Sequence, residues 1–173
     1  MVNPESWYLS DGVIAAFIGA ASAFFLMVIY NGLLARRKRH AHYSALKAEM
    51  EYCHDLAKVY LEGKIAAPLY RLPTVAYANS LPALLADAAL NATDTRALLA
   101  FFNEVETLNR GLDQAEGARL ITDPTERETK LTDELNRNAL KAKHLVSIEF
   151  LSSPSYYDRA KSVINSRLRW YRF

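Results

Sequence analysis

Glu51-Tyr52-Cys53-His54 is the segment of this chain best suited to chemistry. On a helix, side chains three apart share a face, so a carboxylate and an imidazole converge there. Helical bundles that hold carboxylate-bridged metal pairs use two Glu-x-x-His motifs and two further Glu residues. The second motif is missing here: no other His has a Glu three residues before it, and His40, His42 and His144 form no i,i+4 pair. Glu51 and His54 are therefore weak candidates for a metal site, and no cofactor is expected. His54 is offset by one from the helix seam at Cys53, so it is expected at the helix flank, solvated or salt-bridged. Cys53 is the only thiol and reads as a small core residue.

Nucleophilic catalysis has no sequence support. The chain holds no Gly-x-Ser-x-Gly elbow, no phosphate-binding Walker loop and no Cys-x-x-Cys pair. A non-enzymatic protein is expected, with a metal-dependent helical enzyme as the distant alternative and no small-molecule substrate. The last 15 residues gather Arg159, Lys161, Arg167, Arg169 and Arg172 beside Trp170, Tyr171 and Phe173. Such a mixture suits anionic headgroups or single-stranded RNA. The plainer expectation is a helix that docks Tyr156, Val163, Ile164 and Leu168 on a bundle. Arg167, Arg169, Trp170 and Arg172 are the residues of any surface contact, with lipid preferred and no nucleic acid expected. Tyr70-Arg71-Leu72-Pro73-Thr74 mixes aromatic, cationic and rigid residues, and reads as a turn that starts the next helix.

The elements that must position these groups begin with a membrane segment. Gly12 to Tyr30 is a 19-residue run without charge, and it extends to Ala35 if Asn31 and Gly32 are tolerated. As helix, residues 12–35 would measure roughly 36 Å, enough for a hydrocarbon core of about 30 Å. Eleven residues of the Leu/Ile/Val/Phe class lie between Val13 and Leu34. Together they favour insertion by roughly 3 to 7 kcal/mol. A cleaved signal peptide would place its basic residues before the apolar run. Here Glu5 and Asp11 precede it, and Arg36, Arg37, Lys38 and Arg39 follow. An uncleaved anchor is expected, with a short extracytoplasmic stretch (1–11) outside and the rest of the chain in the cytoplasm. Trp7 and Tyr8 would lie at the outer interface, and the four basic residues at the inner leaflet. Gly12, Ala15, Gly19, Ser22 and Ala23 place small side chains at helical spacing, which lets another membrane helix approach closely.

Beyond the anchor, Tyr43, Leu46, Met50, Cys53, Ala57 and Tyr60 repeat at the 3, 4 spacing of a bundle seam, and Gly63 follows as a stop. No breaker lies between Ala35 and Gly63, so the anchor is expected to continue into a juxtamembrane, coiled-coil-like helix over 36–63. Pro68, Pro73 and Pro82 cut the next stretch into short pieces, with Ser80 as cap of a helix through Leu90. Thr93 or Asp94 is expected to cap a long helix carrying Leu98, Phe101, Val105, Leu108, Leu112 and Ala115, on which Glu106 and Arg110 form an i,i+4 pair. Asp123-Pro124-Thr125-Glu126 is a cap, a first-position Pro and a third-position Glu. Its helix is expected to reach about Leu151. Ser153-Pro154 repeats the signature for a last helix. The fold class expected is all-α: one transmembrane helix followed, over 64–173, by a cytosolic bundle of four or five helices.

The net charge of +2 averages unlike parts. Residues 1–35 carry −2, residues 36–47 carry +5, residues 48–157 carry −5 and residues 158–173 carry +4. The architecture resembles that of small single-pass bacterial inner-membrane proteins with helical cytosolic domains, and this likeness assigns no residue a role. The function expected is a protein-binding scaffold or accessory subunit of a membrane complex. Its partners would be membrane lipid and other membrane subunits or further copies of itself. A membrane-perturbing toxin or defence protein is the alternative.

Overall fold

A computed structural model describes residues 11–63, 71–146 and 154–170. Every secondary-structure element among them is helical: α1 (Asp11–Leu61), α2 (Val75–Ala86), α3 (Ala92–Arg119), α4 (Pro124–Val146) and α5 (Tyr156–Trp170). The chain divides into two units, residues 1–38 and 39–173. The first unit is the apolar part of α1, the one helix of the described residues long and apolar enough to cross a membrane. The second unit is the bundle.

The bundle has one core. From α1 it takes Tyr43, Leu46, Met50, Cys53 and Ala57, all fully buried, which is the seam that the 3, 4 spacing predicts. From α3 it takes Leu98, Phe101, Phe102, Val105 and Leu108, joined by Leu84 of α2, Leu145 of α4 and Ile164 of α5. A row of aromatic rings ties the helices together. Tyr77 stacks on Phe102 at 4.4 Å, Phe102 meets Phe101 edge-on at 5.1 Å, Phe101 faces Tyr157 at 6.2 Å, and Tyr157 stacks on His54 at 3.8 Å. Offset and edge-on pairs of this kind add about 0.5–1.5 kcal/mol each beyond the area they bury.

The helix boundaries follow their caps. Helix α1 ends just before Gly63, whose φ of +67° suits a residue without Cβ. Asp123 accepts the Thr125 and Glu126 amides at 2.8 and 3.0 Å, as its motif predicts. Two caps fall elsewhere than expected. Asn91, rather than Thr93 or Asp94, caps α3 by accepting the Asp94 amide at 2.7 Å. At α5 the Ser155 hydroxyl accepts the Asp158 amide at 3.0 Å and donates to the Asp158 carboxylate at 2.7 Å. Ser153 lies outside the described residues, as do Pro68, Tyr70 and Leu151.

Helix α2 departs most from expectation. Ser80 does not start it; the helix begins at Val75 and carries Pro82 inside. Thr74, the residue before the helix, makes no side-chain cap. The buried carboxylate of Glu49, reaching across from α1, accepts the Ala76 amide and the Tyr77 amide instead. A charged acceptor at the positive end of a helix stabilises its first turn, and that contact is remote in sequence. Ser80 is buried in the bundle, where its hydroxyl lies 3.2 Å from His42 Nδ1. The far end of α2 closes with Ala88 N–H on Leu85 and Ala89 N–H on Leu84, a two-bond C-terminal motif with Ala88 at φ +49°.

Candidate functional site

In the first unit, residues 12–34 are exposed apart from half-buried Ala21. Phe17, Phe24, Phe25 and Leu26 each show more than half of their surface. A run of apolar side chains without a partner on any side is unstable in water and stable in hydrocarbon. Around Gly12 and Gly19 an added Cβ would meet no atom within 4 Å, so the face of Gly12, Ala15, Gly19, Ser22 and Ala23 is open to another helix. Arg36, Arg37 and Lys38 are exposed at its end. Arg39 begins the second unit, donating to Asp87 through Nε at 3.1 Å and to the Asp87 carbonyl at 3.4 Å. Trp7 and Tyr8 lie outside the described residues.

Glu51 and His54 take different partners. Glu51 faces Lys47 at 3.8 Å, whereas His54 Nδ1 faces Asp55 at 3.4 Å. Among the described residues no group of three His, Cys, Asp or Glu side chains could hold a metal ion. His54 is not at a solvated flank. Helix α5 covers it, the Tyr157 ring lies flat on the imidazole, and only 8% of the residue is exposed. Lys161 sits against the same Tyr157 ring at 4.9 Å and donates to its hydroxyl at 3.1 Å. Burial pushes the His54 pKa down, Lys58 adds to this, and the bond to Asp55 opposes it. The Tyr157 hydroxyl raises the pKa of Lys161.

Cys53 is a core residue, as its seam position predicts. Its thiol donates to the Pro73 carbonyl at 3.3 Å. Burial, with a smaller contribution from the Glu49 charge, pushes its pKa to about 12, so it is neutral and a poor nucleophile. The turn before α2 is fastened by Asn109 of α3. Its side-chain amide accepts the Leu72 N–H and donates to the Leu72 carbonyl, both at 2.8 Å. Arg71 pairs with Asp113 at 2.7 Å. Residues 71–74 are thus held as a structural strap. Asn109 and Glu49 were not foreseeable from local sequence, since each serves backbone groups far along the chain.

The C-terminal cations are distributed unequally. Arg167 grips Asp94 of α3, with Nε at 3.0 Å and a second bond from Nη2. Arg159 lies over the Tyr156 ring at 5.1 Å. Arg169 and Trp170 are exposed, and Arg172 lies outside the described residues. Tyr157, Ala160 and Ile164 bury the inward face of α5, flanked by half-buried Tyr156, Val163 and Leu168. Glu106 is exposed near Tyr77, and Arg110 donates to Thr107 at 3.4 Å.

One cleft of about 390 Å³ opens between α3 and α4, lined by Gln114, Ile121, Lys130, Asp133, Glu134 and Arg137. Two ion pairs lie along it, Lys130 with Glu126 at 2.6 Å and Arg137 with Glu134 at 2.8 Å. No family model, curated protein or solved structure matches the chain.

Proposed function

We propose that this chain is a single-pass protein of the plasma (inner) membrane that acts as a non-enzymatic scaffold or accessory subunit of a membrane complex. Residues 12–35 span the bilayer with the N-terminus outside, and the helical bundle lies in the cytoplasm. Its partners are lipid and other membrane subunits or further copies of itself. The observation that supports this best is the exposed apolar stretch of α1, bounded by Arg36, Arg37 and Lys38. The open face at Gly12, Ala15, Gly19, Ser22 and Ala23 supports helix packing as the means of assembly.

The test is a cysteine scan of residues 12–26 with oxidative cross-linking in native membranes. Cys53 is buried and gives a low background. Cross-linked bands, to self or to another subunit, are expected to peak at positions 15, 19 and 23. A chain that stays monomeric at every position overturns assembly through the anchor.

A further inference from the structure

Four chain segments meet at one end of the bundle. Arg39, the first residue of α1 within the bundle, bonds Asp87, and Tyr43 donates to the Ala89 carbonyl at 2.8 Å. Residues 85–90 run from there into α3, whose Asp94 holds Arg167 in the last turn of α5. Arg39, the end of α2, the start of α3 and the end of α5 therefore form one surface. It lies where the chain enters the bundle from Lys38.

The composition of this end is distinctive. Residues 39–43, 85–96 and 166–170 contain four Arg and two Asp. Both aspartates are committed, Asp87 to Arg39 and Asp94 to Arg167. Arg96 and Arg169 are exposed, which leaves the surface net positive. Beside them Trp170 is 77% exposed and Leu85 44% exposed. The opposite end, over residues 116–130, carries four acidic and three basic residues. Trp places an apolar ring and a polar N–H at a membrane–water boundary, and arginines attract anionic headgroups.

We propose that this end of the bundle docks on the surface of an anionic bilayer, with Trp170 and Leu85 among the headgroups and Arg96 and Arg169 beside lipid phosphates. The proposal rests on the reading of residues 12–35 as a membrane anchor. The anchor is joined covalently to the bundle at Arg39, so this surface is tethered to the bilayer. Weak contacts then act at high effective concentration. The charge complementarity selects lipid as the occupant.

The test uses the full chain with Trp7→Phe, so that Trp170 is the only tryptophan and is excited selectively, reconstituted in phosphatidylcholine vesicles with and without phosphatidylglycerol. Insertion is scored separately by resistance to carbonate extraction. Trp170 is expected to be quenched by lipids spin-labelled at the headgroup only when the anionic lipid is present. Replacing Arg96 and Arg169 with Gln should lower the ratio of docked to undocked protein by about fivefold per arginine. Inserted protein whose Trp170 is unquenched, or quenched regardless of lipid charge, overturns the docking and leaves the anchor standing. Trp170 shielded from aqueous acrylamide yet unquenched by lipid marks a protein contact and also overturns it. Protein released by carbonate overturns anchor and docking together.

Discussion

At the residue scale, the Glu51-x-x-His54 motif shows how a chemically suggestive spacing can serve packing. His54 is used as a flat ring against Tyr157, and the sequence could not show this because Tyr157 lies about a hundred positions away. The stack has a consequence for pH dependence. Burial lowers the folded-state pKa of His54 below its ordinary value near 6.5, so the unfolded chain binds a proton that the folded chain refuses. The resulting stability is complete above pH about 6.5 and is lost as pH falls toward the depressed value. Urea unfolding of the full chain in detergent between neutral and mildly acidic pH should show this loss, and His54→Gln should flatten it. Cys53 was legible from the seam spacing alone, because a small apolar residue recurring with Leu46 and Met50 belongs in a core. With its pKa at about 12, the thiol should resist iodoacetamide at neutral pH in the folded protein. It should react at the rate of a free cysteine once urea unfolds the bundle.

At the element scale, the helices were legible wherever their signals were local and obscure wherever a distant group supplied them. The core seams of α1 and α3, the Asp123 cap and the Gly63 stop depend on residues within a turn or two. Helix α2 depends on Glu49 of α1, and its N-cap position is accordingly Thr74, six residues before the Ser80 that local sequence suggests. Its other end carries a position open to improvement. Ala88 sits at φ +49°, a region costing a residue with Cβ about 1–2 kcal/mol and glycine little. Ala88→Gly should therefore raise stability by about 1 kcal/mol, read as a shift in the urea midpoint without a change in slope. Gly111 is the opposite case. A Cβ there would overlap the Oδ1 of fully buried Asn138 on α4 and lie 2.8 Å from Lys141 Nζ. Gly111→Ala gains helix propensity of about 1 kcal/mol, but overpacking costs about 1–3 kcal/mol. A net loss of stability is expected, and Asn138→Ala should reverse it. Strict additivity in that double-mutant cycle would show that the close approach of α3 and α4 at this point is not what requires glycine.

At the scale of the whole molecule, the two units present different surfaces. The bundle buries one apolar core shared by its helices and leaves single apolar residues such as Val75, Leu120 and Trp170 exposed. The first unit exposes apolar side chains on every face, and its helix needs no other element to satisfy its backbone, as a bilayer requires. This division was visible in sequence because charge and hydropathy vary along the chain in long blocks. The proposed orientation rests on the block at 36–39, and it is open to reversal. Arg39 should be left in place, since it pairs with Asp87 inside the bundle, whereas Arg36, Arg37 and Lys38 can be changed without touching that pair. The native chain carrying a fluorescent-protein reporter at its C-terminus is expected to glow, and one carrying an export-dependent phosphatase there is expected to be inactive. Changing Arg36, Arg37 and Lys38 to Gln, with Glu5→Lys and Asp11→Lys at the other end, moves the basic excess across the span. A substantial inverted population should then appear, with phosphatase activity rising as fluorescence falls. If the charge swap leaves both reporters unchanged, the basic block does not set the orientation, and the cytoplasmic placement of the bundle loses its main support.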